Sequence, residues 1–222
     1  SDLPPPPLPP PKLGRLGTMS VASILQAKGG PFQDDELWSL LSESAAMLQC
    51  NSLAELARSD VTPFTLTLGH SGHTAVQMAN HIPGPASAVY VAPERRTTSP
   101  AESLSRAQLE LAHLYSLGIV LYFAADYNLP YTQHPELSPQ LEKLIASMVH
   151  ERPEDRVSLA RLVEACHGHS HSFGATSHRH RISKMAQAIP EYRVSVAPAS
   201  VSPGGGNVGH TQNTMMATIR RR

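Results

Sequence analysis

The stretch HLYSLGIVLYFAADYNLP, residues His113–Pro130, decides the fold. Its apolar residues do not keep to one stripe: Leu117, Val120, Leu121 and their neighbours point nearly all round a helical wheel. A surface helix divides into an apolar and a polar face, whereas a helix apolar on every side is enclosed by other elements. The stretch is therefore expected to be the buried centre of a helical domain, in a helix running from Ser103 to about Tyr127. Ser116 and Gly118 interrupt its longest apolar run. On this reading no run reaches the roughly 18 residues of a membrane span. Gly118 suits a place where another element packs close.

Working outward, SPQLEKLIASMVH opens at an N-capping Ser138 with Pro139 at the first helical position. SLARLVEACH starts at Ser158 and puts Leu159, Leu162, Val163 and Cys166 on one face. Upstream, from Met19, MSVASILQAKGG carries Val21, Ile24 and Leu25 at helical spacing and stops at Gly29. DDELWSLLSESAAMLQC follows, with acidic residues in its first turn and a stripe of Leu37, Leu40, Leu41, Ala45 and Leu48. Trp38, the single tryptophan, reads as a core anchor between the first helices. SLAELARS is a further short helix. Alternation at Phe64, Leu66 and Leu68 around HSGH predicts a small β-hairpin, with His70 and His73 as solvated turn residues. The run HIPGPASAVYVAPERRTTSPAES reads as a loop.

The two ends have another texture. SDLPPPPLPPPKLGRLGT, residues 1–18, cannot form a helix, because proline fixes φ and lacks an amide donor; it is expected as an extended polyproline II leader. Residues 19–167 make the domain, and 168–222 a His-rich and Gly/Ser/Pro-containing tail, largely disordered. The chain has 222 residues and starts at Ser1, so a fragment or a gene-model product is expected, with Met19 as another start. Its 18 basic and 18 acidic residues balance, but not evenly along the chain. Residues 20–166 hold 16 acidic and 9 basic residues, a net charge of −7, and the ends hold the opposite +7. An acidic domain between basic tails favours basic partners, its own tails included, and argues against nucleic acid. Cys50 and Cys166 form neither a disulfide framework nor a metal spacing. No metal or other cofactor is expected: His167, His169, His171, His178 and His180 read as a polar tract without the fixed geometry of a metal site. With no signal core in view, the expectation is a soluble, cytoplasmic chain.

Four blocks, SVASILQAKGGPFQDDELWSLLSESAAMLQ, VAPE, YSLGIVLYFAADYNLP and RPEDRVSLARLVEAC, resemble in order and spacing the KIND domain, the kinase non-catalytic C-lobe domain. The resemblance covers roughly residues 20–167. GGPFQDDELW and the central helix resemble the KIND domains of a FERM- and PDZ-containing non-receptor tyrosine phosphatase and of FERM-and-PDZ scaffold proteins more than those of the Spire actin nucleators. The resemblance implies a mainly α, protein-kinase C-lobe-like domain with a small β-hairpin and disordered flanks. In kinases the Glu of Ala-Pro-Glu pairs with a buried Arg before the last helices, which implies a structural ion pair between Glu94 and Arg156. Tyr115 takes the place of a kinase Trp. Aligned with a kinase catalytic loop, Asp60 and Pro63 are retained, while Thr62 replaces its Lys and Thr65 its metal-binding Asn. His113 stands where a helix Asp ties that loop down, and no Asp-Phe-Gly follows the hairpin. Phosphoryl transfer needs those groups, so no catalytic residue is assigned. The phosphatase signature Cys-x5-Arg is also missing from this sequence.

KIND domains are protein-interaction modules, and in Spire an acidic surface holds the basic tail of formins. The resemblance thus implies a non-catalytic module that recruits a cytoskeletal or signalling partner with basic segments, at the cytoskeleton or cell cortex. Asp34, Asp35, Glu36 and Asp126 are its candidate contacts, each of which also reads as a solvated charge or helix cap. The leader carries P-x-x-P-x-K at Pro7, Pro10 and Lys12, a pattern for Src-homology, WW or profilin-type binders or a plain spacer. Two other readings stand: an adaptor whose polyproline leader matters while the domain is a passive carrier, and a divergent nucleotide-binding enzyme using Asp60.

Overall fold

The computed structural model describes residues 18–77, 88–97, 104–130, 132–173 and 178–187. The leader motif at Pro7, Pro10 and Lys12 and the tail beyond Gln187 lie outside them. The described part is mainly helical. Strand β1 (Thr18–Ser20) leads into α1 (Val21–Lys28), capped by the Ser20 hydroxyl, which accepts from Ser23 N at 3.1 Å. Gly29, at φ 71°, ends it in a left-handed turn. Helix α2 (Asp34–Cys50) opens on a capping box between Gln33 and Glu36, and α3 (Leu53–Arg58) on one between Ser52 and Glu55. Strands β2 (Leu66–Gly69) and β3 (Thr74–Val76) form the expected hairpin, with Thr67 opposite Ala75. Strand β1 adds on antiparallel, Met19 opposite Leu68, and makes a three-stranded sheet in the order β1-β2-β3. The start of the domain, expected as helix from Met19, is thus one short strand first.

Helix α4 (Pro93–Thr97) is a short turn of helix, and α5 (Arg106–Asp126) is the central helix. A capping box between Ser105 and Gln108 starts α5 at Arg106, three residues later than the expected Ser103. Leu109, Ala112 to Leu121, Ala124 and Ala125 are all buried, as a helix apolar all round requires. By length and mean hydropathy (21 residues, 1.2) α5 is sufficient to span a membrane, which the expectation of no such run missed. Its most apolar window is 67% buried inside the fold, so its apolar surface is used by the core. Helix α6 (Pro139–Met148) packs on α5 where Gly118 lies. A Cβ on Gly118 would stand 2.7 Å from Val149 Cγ1 and 3.0 Å from Met148 Cβ, which accounts for the glycine.

Helix α7 (Leu159–Phe173) and helix α8 (His178–Gln187) carry ordered structure past the boundary expected at 167. Residues 168–173 and 178–187, read as disordered or locally helical, are helices. Ile182, Met185 and Ala186 of α8 are buried against α2 and β2. The sequence signal was weak because α8 is mostly charged and polar and offers only these three residues to the core.

Candidate functional site

The node at Glu94 and Arg156 is built from three places in the chain. Glu94 sits in the first turn of α4, and Arg156 follows the turn Pro153–Asp155 that leads to α7. The guanidinium donates to both carboxylate oxygens, Nη1 to Oε1 at 2.6 Å and Nη2 to Oε2 at 2.9 Å. It also donates to the carbonyls of His150, Glu151 and Leu111, at 2.7, 3.1 and 3.1 Å, and stacks 4.9 Å from the Tyr115 ring centre. Its side chain is fully buried and Glu94 is 21% exposed. Such a bidentate, charge-assisted pair fixes the α4 segment onto α5 and the α6–α7 connection.

The segment aligned with a kinase catalytic loop is tied into itself. Asp60 pairs with Arg95 at 3.1 Å, and Arg95 also donates to Ser59 O. Thr65 Oγ1 donates to the Asp60 carbonyl and lies 3.0 Å from Thr62 Oγ1, which in turn accepts from Phe64 N. His113, wholly buried on α5, donates from Nε2 to Leu56 O at 2.8 Å and so holds the end of α3 just before this loop. Its Nδ1 has no partner among the described residues. Burial lowers its pKa to about 4, so it is a neutral tether at neutral pH. Tethering needs only a donor here, and an imidazole supplies one.

The four acidic candidates do not form one patch; each is engaged separately. Asp34 Oδ1 accepts from Ser138 N at 2.7 Å and joins the start of α2 to that of α6. Glu36 closes the capping box on Gln33 N and pairs with Lys28. Asp35 pairs with Arg181 of α8. Asp126, at the end of α5, is half-buried, and burial raises its pKa, partly countered by His134. A solvent-open groove of about 1200 Å³ lies elsewhere, between α5 and α6, with Tyr122, His134, Leu137 and Val149 in its wall. Its rim mixes Glu142, Glu151 and Asp155 with Lys143 and Arg152, so its charge selects no ligand.

The most developed surface is one the sequence reading missed, the seat of α8. Arg181 meets Asp35, and Arg179 stands 3.7 Å from Glu43, which is also 3.8 Å from His73 of the hairpin turn. Ser183 Oγ donates to His70 O at 2.6 Å. His178 Nδ1 lies 3.2 Å from Ser39 Oγ and its Nε2 2.6 Å from Ser170 Oγ. The His178 ring stacks on His169, centres 5.9 Å apart, and His169 on Trp38 at 4.2 Å. Burial lowers the pKa of both histidines; at His178 the neighbouring His169 adds to this, and at His169 the charge of Asp34 opposes it. Trp38 is therefore anchored by α7 as much as by the first helices. The one signal for this seat was the opposite charge of domain and tails.

A lobe built around one enclosed helix, with a buried arginine locking the Ala-Pro-Glu segment to it, is a protein-kinase C-lobe in architecture. The family model of the kinase non-catalytic C-lobe domain matches residues 22–178. Human tyrosine-protein phosphatase non-receptor type 13 is 34% identical over 157 residues, which are 68% of this chain and 6% of that protein. Mouse FERM and PDZ domain-containing protein 2 is 30% identical over 154 residues, 69% of this chain and 11% of the relative. Human kinase non-catalytic C-lobe domain-containing protein 1 is 29% identical over 151 residues, 67% of this chain and 8% of the relative. The chain belongs to the kinase non-catalytic C-lobe, or KIND, domain family, and it spans only about a tenth or less of these relatives' length.

Proposed function

We propose that this KIND domain is a non-catalytic protein-interaction module that recruits a partner carrying basic segments, within a cytoplasmic scaffold or phosphatase at the cytoskeleton or cell cortex. One observation carries the reading: the acidic domain already holds a basic helix, with Arg181 on Asp35 and Arg179 near Glu43. The net charge of −7 over residues 20–166 steers further basic segments toward it. The pairing of Asp60 with Arg95 and the mutual bonding of Thr62 and Thr65 support a structural use of the loop over phosphoryl transfer. The FERM and PDZ domains named in one relative, and the phosphatase named in another, fit a module carried in longer chains. The leader around Pro7, Pro10 and Lys12 supplies a second, polyproline contact for Src-homology, WW or profilin-type grooves.

The test is a pulldown with immobilised basic peptides, formin tails among them, at low salt. Retention that weakens as salt rises is the expected result. If none of the basic peptides retains the protein at low salt, the reading is wrong.

A further inference from the structure

Helix α8 lies almost wholly beyond residues 22–178, the part that the family model matches, yet it is seated as a bound peptide would be. It is amphipathic: Ile182, Met185 and Ala186 are buried, while Arg179 and Lys184 are exposed and Arg181 reaches Asp35. The receiving surface matches it on three sides. Helix α2 offers Asp35 and Glu43, about 12 Å apart along its axis at eight residues' separation. The hairpin turn offers the His70 carbonyl to Ser183, and at Gly72, with φ 84°, it leaves the room that Arg179 occupies. A Cβ there would stand 2.1 Å from the Arg179 carbonyl oxygen. Trp38 and His169 close the third side, with the His169 ring stacked on His178 of α8. A ten-residue helix is marginal in water by itself, so α8 and its docking stand or fall together.

We propose that the cleft between α2 and the β2–β3 turn is a helix-docking site, that α8 fills it in cis, and that a partner's basic amphipathic helix enters by displacing α8. The occupant has α8's chemistry: two apolar residues about one turn apart, preceded by two arginines. This deepens the reading of the domain as a recruiter of basic partners and gives that partner a place. It also explains why only the four residues 174–177 join α7 to α8: the cis occupant is held at high effective concentration, and a partner must outcompete it.

The test uses the full chain with Ile182→Asp and Met185→Asp, which remove α8's apolar face, beside the unaltered chain. A fluorescent peptide of residues 176–190 is titrated into each, and hydrogen exchange reports whether α8 is released. The released variant is expected to bind the peptide at least about tenfold more tightly than the unaltered chain, whose site is filled. Adding Asp35→Lys and Glu43→Lys is expected to remove that gain. Gly72→Ala keeps the α8 sequence and crowds its first turn, so it is expected to raise peptide binding in the same direction. A folded, released variant that binds no more peptide than the unaltered chain overturns the proposal. Failure of both variants to fold overturns it too, since α8 is then an integral core element. A concentration-dependent dimer of the unaltered chain that exchanges α8 between copies makes a second copy the occupant and replaces the partner. Equal capture by immobilised basic peptides of the unaltered and released chains removes this site alone and leaves recruitment standing.

Discussion

Arg156 holds Glu94 in a two-point grip, at 2.6 and 2.9 Å, with its own side chain fully out of solvent. The remaining guanidinium hydrogens go to three backbone carbonyls, so loss of the carboxylate leaves the charge buried with neutral acceptors alone. Breaking one member of such a pair costs on the order of 3–5 kcal/mol, much of it the stranded charge. Glu94→Gln is expected at the lower end, since an amide oxygen still accepts one bond. In urea denaturation its free energy of unfolding should fall by about 3 kcal/mol with an unchanged slope. Glu94→Gln with Arg156→Met should cost less than the sum of the two, because the double variant strands no charge.

His113 makes stability depend on pH in a defined window. Its folded pKa is about 4, below the 6.5 of a free imidazole, so the unfolded chain takes up the proton first. Its contribution is fully present above about pH 6.5, is lost as pH falls toward 4, and changes little below that. The shift corresponds to about 3 kcal/mol in all, of which about 2 kcal/mol is lost between pH 7 and 4.5. His169 and His178, also lowered, act in the same sense. His113→Gln keeps a donor for Leu56 O and does not titrate. Urea midpoints at the two pH values should therefore lie closer together in this variant than in the unaltered chain.

The sequence showed the central helix because burial on every side writes apolar residues at every angle, and α5 has them. Capping residues were less legible: the cap of α5 is Ser105, not Ser103, and Ser138 stands at the N-cap of α6 as expected but its hydroxyl makes no cap hydrogen bond there. The Glu94–Arg156 contact spans 62 residues and came only through the resemblance to kinases. Helix α8 stayed hidden for a physical reason. Apart from the nearby His169 and Ser170, its fixing contacts are to Asp35, Ser39, Glu43 and His70, all more than a hundred residues away, and periodicity reports nothing about distant partners. The acidic candidates show the converse limit. Asp34, Asp35 and Glu36 adjoin in sequence but face Ser138, Arg181 and Lys28 in space.

Gly118 gives a packing test. Alanine in place of glycine inside a helix gains about 1 kcal/mol of helix propensity, while overpacking costs about 1–3 kcal/mol. A Cβ at 2.7 Å from Val149 Cγ1 can be relieved in part by that side chain, but Met148 Cβ at 3.0 Å is fixed to its helix backbone. Gly118→Ala is expected near neutral or slightly destabilising. Gly118→Val, with two further methyl groups and a stiff χ1, should lose about 3 kcal/mol in the same urea assay.

The catalytic-loop remnant predicts indifference to nucleotide. Asp60 is drawn to Arg95, and Thr62 and Thr65 satisfy each other. Calorimetric titration with ATP and Mg²⁺ at about 1 mM, in the range of weak binding constants, should give no saturable heat. Mg²⁺-dependent binding that vanished in Asp60→Asn would restore the enzyme reading.

Charge complementarity makes a last demand, on salt. Asp35 is two-thirds exposed, so its attraction for a guanidinium is screened once the Debye length approaches the contact distance. That length falls from about 10 Å at 0.1 M to about 3 Å at 1 M. The apolar anchoring seen at Ile182 and Met185 is not screened. A basic amphipathic peptide bound at this face should therefore weaken several-fold between about 0.05 M and 0.5 M NaCl and then level off. The change should be mostly in the association rate, since rim charges steer encounter and buried side chains set residence. Stopped-flow anisotropy across that salt series separates the two rates. Affinity flat with salt would place the binding on apolar contacts alone, and affinity that kept falling to nothing would leave the aliphatic anchors without a role.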